Sequence, residues 1–93
     1  MADLASVQAI VYGRVQGVYF RAFASRQAIE LGLTGYVRNT PDRAVEVYAE
    51  GERKRIEKLI DHLKVGPSSA RVDRVVVDWS EYTGNYPGFN ISY

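Results

Sequence analysis

No cysteine occurs in the 93 residues of this chain. That excludes a disulfide framework, a thiolate nucleophile and any cysteine-based metal centre. Histidine is almost as scarce. His62 stands alone beside an apolar helical stripe, so no multi-histidine metal site can form and the residue reads as part of a helix flank. Charge of one sign is also lacking: 12 Lys+Arg against 11 Asp+Glu leave a formal net charge of +1. Such a chain has no broad field to gather nucleic acid or an anionic membrane, and any taste for anions must be local. No apolar run approaches the about 20 residues of a membrane span, and the opening MADLAS lacks the basic stretch and long apolar segment of a signal peptide. The expectation is a cytoplasmic protein with no membrane contact. Repeats, low-complexity tracts and linkers are missing too, so residues 1–93 are expected to form a single domain. A makeup of 46% hydrophobic and 25% charged residues suits an ordinary globular core.

Hydrophobic periodicity supplies the elements. Val7 to Gly13 alternates, with Val7, Ala9 and Val11 on one face and Gln8, Ile10 and Tyr12 on the other, which predicts a strand. From Arg21 to Leu31 the period becomes helical through Ala24, Ala28 and Leu31, with Phe20 and Gln27 alongside and Gly32 as a stop. Thr34–Asn39 and Ala44–Ala49 read as two strands of a hairpin around TPDR. Gly51 is expected to break the chain before a second helix, from about Glu52 to Val65. That helix carries Ile56, Leu59, Ile60 and Leu63 in the clearest helical stripe of the sequence. GPSS ends it, Val75, Val77 and Trp79 alternate in a further strand, and Tyr82–Gly88 is a polar loop before a short strand with Phe89, Ile91 and Tyr93. The order is βαββαβ plus a terminal strand. Covering the apolar face of a mostly antiparallel four-stranded sheet with both helices buries every apolar surface at once, so an α+β ferredoxin-like sandwich is expected.

Two stretches could carry chemistry. GRVQGVYFR, residues 13–21, leaves a strand and enters a helix. A helix's first turn has N–H groups without intrahelical partners and a dipole that favours negative charge. Gly13 and Gly17 permit the backbone angles that turn successive N–H groups inward, and Arg21 offers a planar donor fork for a tetrahedral oxyanion. The stretch is neither a Walker A loop nor a dinucleotide fingerprint. The residues fit a phosphoryl cradle, and they fit an ordinary glycine-eased turn with a surface arginine equally well. In GYVRNTPD, Asn39 at a strand end could orient a water or simply close the turn. Tyr12, Tyr36 and Tyr48 lie on strand faces away from the helices, where RNA-recognition modules stack bases. The RNP1 pattern is missing, and cross-strand packing is the expected role.

GRVQGVYFR, GYVRNTPD, VEVYAEG, the GPSSARVDRV segment and the FNISY terminus together resemble the acylphosphatase family over nearly the whole chain. The motifs carry this, since the fold hosts many functions. The resemblance implies hydrolysis of the carboxyl-phosphate bond of small acyl phosphates to carboxylate and inorganic phosphate, with no metal and no cofactor. It implies that Arg21 binds the phosphoryl oxygens and that the loop of Arg14, Val15, Gln16, Gly17, Val18, Tyr19 and Phe20 supplies backbone donors. Asn39 would position the attacking water, and Thr40 would support the site from behind. The expected partner is the small-molecule substrate, with no nucleic acid, and the expected state is a monomer. The departures are Tyr19 and Arg43 where glycine is common, Tyr36 for a common Trp, and Ser92 where some members have Arg. A non-catalytic small-ligand or nucleic-acid binding domain of the same fold is the alternative. A domain of the kind found in larger relatives is less expected in so short a chain.

Overall fold

The computed structural model describes residues 3–93. Its elements are β1 (Leu4–Arg14), α1 (Phe20–Glu30), β2 (Thr34–Asn39), β3 (Val45–Glu52), α2 (Arg53–Val65), β4 (Arg71–Ser80) and β5 (Phe89–Ser92). The alternation in β1 has its expected meaning: Val7, Ala9 and Val11 are buried in a core shared with Val37, Val45, Val47 and Ala49 from the neighbouring strands. The helices complete that core. Ile56, Leu59, Ile60 and Leu63 of α2 are all buried, each such side chain contributing about 2 kcal/mol of apolar transfer free energy before ordering costs. α1 buries Phe20, Ala24 and Ala28, and its small alanines let it lie close over β2 and β5 while α2 covers β1 and β4.

The sheet has five strands in the order β4-β1-β3-β2-β5. β3 pairs antiparallel with both β1 and β2, β1 pairs antiparallel with β4, and β5 pairs parallel with β2. The result is the expected ferredoxin-like sandwich, on a mixed sheet. One consequence positions the site. Because β1 and β2 both oppose β3, they run the same way, and β5 runs with them. All three strands therefore deliver their C-terminal ends to one end of the molecule.

One expectation needs correction. Gly51 does not break the chain. It pairs with Ala5 inside β3, and α2 begins at Arg53 with no intervening loop. Glycine suits the position because its φ of +151° is strained for any residue with a side chain, and a Cβ there would also press on the Leu33 Cδ2, 2.6 Å away. The face of the sheet away from the helices is also less open than alternation suggests: Glu46 and Glu50 are only 3% and 0% exposed. Glu50 accepts hydrogen bonds from Ser6 Oγ (2.6 Å), Tyr48 Oη (2.9 Å), Thr83 N (3.0 Å) and Oγ1 (2.7 Å), and Gly84 N (3.0 Å). The polar segment after β4 is thereby pinned across the sheet. Glu46 accepts from Gln8, Tyr36 and Arg38. Among the described residues no helix is long and apolar enough to cross a membrane.

Candidate active site

The loop between β1 and α1 is tied at both ends by burial: Val15 and Phe20 are each 1% exposed. Between them the chain turns through two left-handed residues, Gly17 at φ +72° and Tyr19 at φ +60°. Left-handed residues two positions apart are the kind of backbone that brings neighbouring N–H groups to a common side. Gln16–Tyr19 form a turn, and among the described residues no group accepts a hydrogen bond of close, well-aligned geometry from the N–H groups of Gln16 through Ala22. Tyr19, at the N-cap, offers no side-chain cap. A helix start left uncapped beside open backbone donors is a ready site for an oxyanion.

These groups border a cavity of about 340 Å³. The loop and first helical turn contribute Val15, Gly17, Tyr19, Phe20, Arg21 and Ala22, β2 contributes Asn39, and the end of the chain contributes Ile91 and Tyr93. Arg21 is half-buried, and among the described residues no carboxylate stands within ion-pair distance of it. Its Nη1 donates to the Ser92 carbonyl at 3.4 Å, and its guanidinium carbon lies 4.8 Å from the centre of the Tyr93 ring. The cation is thus oriented without being neutralised. Asn39 Oδ1 is buried with no hydrogen-bond partner. A buried acceptor in that condition costs about 1–3 kcal/mol, so Asn39 is a cavity-lining residue with an unmet need for a donor.

The other candidate residues fall outside this lining. The Gln16 amide donates to the carbonyls of Thr40 (2.9 Å) and Ala44 (2.8 Å), strapping the loop to the hairpin that follows Asn39. The Thr40 hydroxyl donates to Asp42 and accepts from Ala44 N at 3.0 Å, bracing the same turn. Val18 packs against the core, and its carbonyl accepts from Ser69 Oγ. Arg14 and Gln16 border a neighbouring cavity with Gly13, Val15 and Arg43. Ser92 and Tyr93 are neighbours of Arg21 that the spacing of residues in the sequence does not reveal. Only the FNISY motif hinted at them, because no local pattern reveals that β5 lies parallel to β2 with Ser92 level with Arg38. Among the described residues there is no group of three or more His, Cys, Asp or Glu that could hold a metal ion.

The fold is that of a small α+β sandwich, and its arginine, loop backbone and carboxamide around one cavity are the kinds of group that suit a tetrahedral oxyanion. The acylphosphatase family model matches residues 7–91. An acylphosphatase from Thermus thermophilus is 53% identical over 83 residues, covering 89% of this chain and 93% of the relative. One from Pelotomaculum thermopropionicum is 45% identical, covering 96% and 97%. The crystal structure of acylphosphatase from Bacillus subtilis superposes with a TM-score of 0.92 at 34% identity, covering 98% of this chain and all of that one. The chain belongs to the acylphosphatase family.

Proposed function

We propose that this chain is an acylphosphatase that cleaves small acyl phosphates without a metal or cofactor, Arg21 and the loop amides holding the phosphoryl group and Asn39 the water. The family membership supports the reaction. The observation that supports the roles is the shared cavity, lined both by Arg21, a cation without a carboxylate partner, and by Asn39, whose carboxamide oxygen is buried and unpartnered. Phosphoryl transfer to water passes through a loose transition state, and the carboxylate leaving group is weakly basic. The protein therefore has mainly to position the reactants and stabilise charge on the equatorial oxygens. The water oxygen bonds to phosphorus as the bond from phosphorus to the acyl oxygen breaks. The electron pair leaves with the carboxylate, and the water's proton passes to a phosphoryl oxygen. Gln16 and Thr40 serve as positioning residues, since they fix the loop and the turn on either side of Asn39.

Nucleic acid on the sheet face is the weaker reading. Tyr36 and Tyr48 stack at 5.7 Å, both pack on Tyr86, and their hydroxyls bond Glu46 and Glu50. Rings so engaged beside buried carboxylates make a poor platform for bases. A cytoplasmic monomer acting as one domain completes the proposal.

Kinetics on benzoyl phosphate with EDTA present test it. Arg21→Ala should damage both phosphate inhibition and turnover. Asn39→Ala should lower kcat by about 10²–10³-fold, the typical effect of removing one preorganised group, with phosphate inhibition nearly intact. Full activity in either variant would contradict the assigned roles.

A further inference from the structure

Tyr19 is an anomaly. It holds φ +60° at the N-cap of α1, a conformation that costs a side-chain-bearing residue about 1 kcal/mol and costs glycine nothing. Its ring recovers none of that by packing, because the residue is 84% exposed. Unrelieved strain at the rim of a binding cavity is reason to look for a role there. Tyr93, 96% exposed, borders the same cavity, with its ring over the Arg21 guanidinium. Half-buried Ile91 adds an apolar surface between the site and the core. With the phosphoryl group seated on the loop amides and Arg21, the acyl end of the substrate must project toward the mouth of the cavity, where these rings stand.

We infer that Tyr19 and Tyr93 form the acyl-group subsite and favour acyl phosphates with a flat aromatic acyl group over those with a short aliphatic one. This rests on the acylphosphatase reading of the cavity and adds the substrate class to it. An aromatic acyl group gains ring contacts from both tyrosines, whereas an acetyl group is too small to span the rim. Tyr19 acts through its ring for specificity and through its backbone for the cradle, so its substitution alters both. Only the ratio between two substrates isolates the ring.

The test compares kcat/KM for benzoyl phosphate and acetyl phosphate in the wild-type chain, Tyr19→Gly, Tyr19→Phe and Tyr93→Leu. In parallel, calorimetry measures binding of the non-hydrolysable benzoylphosphonate and acetylphosphonate. Effects on folding or on the shared phosphoryl grip cancel in each benzoyl-to-acetyl ratio. Ring contacts of this kind are worth about three- to tenfold. Tyr19→Gly and Tyr93→Leu should each lower both ratios by that factor, and Tyr19→Phe should preserve them. Ratios unchanged in the two ring-removing variants, with both substrates hydrolysed, overturn the subsite and leave the activity standing. Hydrolysis of neither substrate, with ring-dependent phosphonate binding, overturns the activity and leaves the subsite standing. Neither hydrolysis nor ring-dependent binding overturns both.

Discussion

Arg43 occupies the turn between β2 and β3 with φ +70°, closed by Arg43 N to Thr40 O at 3.2 Å and Thr40 N to Ala44 O at 2.9 Å. A left-handed residue after a tight turn is a common hairpin geometry, and glycine is its natural occupant. The arginine is exposed and makes no ion pair among the described residues, so nothing offsets its strain. Arg43→Gly should relieve about 1 kcal/mol of strain, partly countered by the greater freedom glycine gives the unfolded chain. The expected result is a small gain in the urea midpoint with an unchanged slope, and a lower midpoint would show that the side chain has a stabilising contact after all. Both left-handed non-glycine residues, Tyr19 and Arg43, stood out in the sequence only as departures from the family pattern. The backbone angles give the reason glycine is common at those positions. Asn39 was legible as a residue type at a strand end, but its unpartnered oxygen was not, because burial depends on strands far away in sequence.

At the scale of elements, the strands and helices were readable because each has one face in the core, and period marks that face. Val7, Ala9 and Val11 in β1 and the four apolar residues of α2 show this. Period does not tell what covers the opposite face. Beside Tyr48 on the face away from the helices, Ser6 and Glu50 are buried because the segment after β4 folds over them, a contact that joins residues 33 and 34 positions apart in the case of Glu50 with Thr83 and Gly84. Burial alone would raise the Glu50 carboxyl, but hydrogen bonds from Ser6, Thr83 and Tyr48 outweigh it and hold the group at about 2. Burial opposes ionisation of Glu46 as well, and bonds from Gln8, Tyr36 and Arg38 bring it below the usual value. A carboxyl that ionises more easily folded than unfolded adds stability above its unfolded pKa and loses it as pH falls through the folded one. Glu50 should therefore contribute about 3 kcal/mol at neutral pH, declining from near pH 4.5 toward pH 2. Denaturation followed across that window should show the fall, and Glu50→Gln should be less stable at pH 7 with a flatter acid limb. An equally steep limb in the variant would place the pH dependence elsewhere. Tyr36, by contrast, is pushed up to about 12 by burial and by its bond to Glu46, so it stays a donor throughout.

Across the whole molecule, no element contains the site. The loop after β1, the end of β2 and the residues at the end of β5 meet only because β1, β2 and β5 run the same way and so end at one edge of the sheet, with β3 running against them between β1 and β2. Phosphate binding should consequently require the native fold and be linked to global stability. A ligand bound only by the folded state adds about 2.7 kcal/mol at one hundred times its Kd. For a domain of this size that amounts to a Tm increase on the order of 10 °C. Inorganic phosphate should produce such a shift in the wild-type chain by scanning calorimetry. At the same phosphate concentration Arg21→Ala should lose most of it, since in the proposed roles the guanidinium supplies the charge that grips the anion. Asn39→Ala should keep it, if the carboxamide has the proposed role of holding the water rather than the phosphate. Loss of the shift in Asn39→Ala would move that side chain from aiming the attacker to binding the anion. Its retention in Arg21→Ala would leave the loop amides as the whole of the grip.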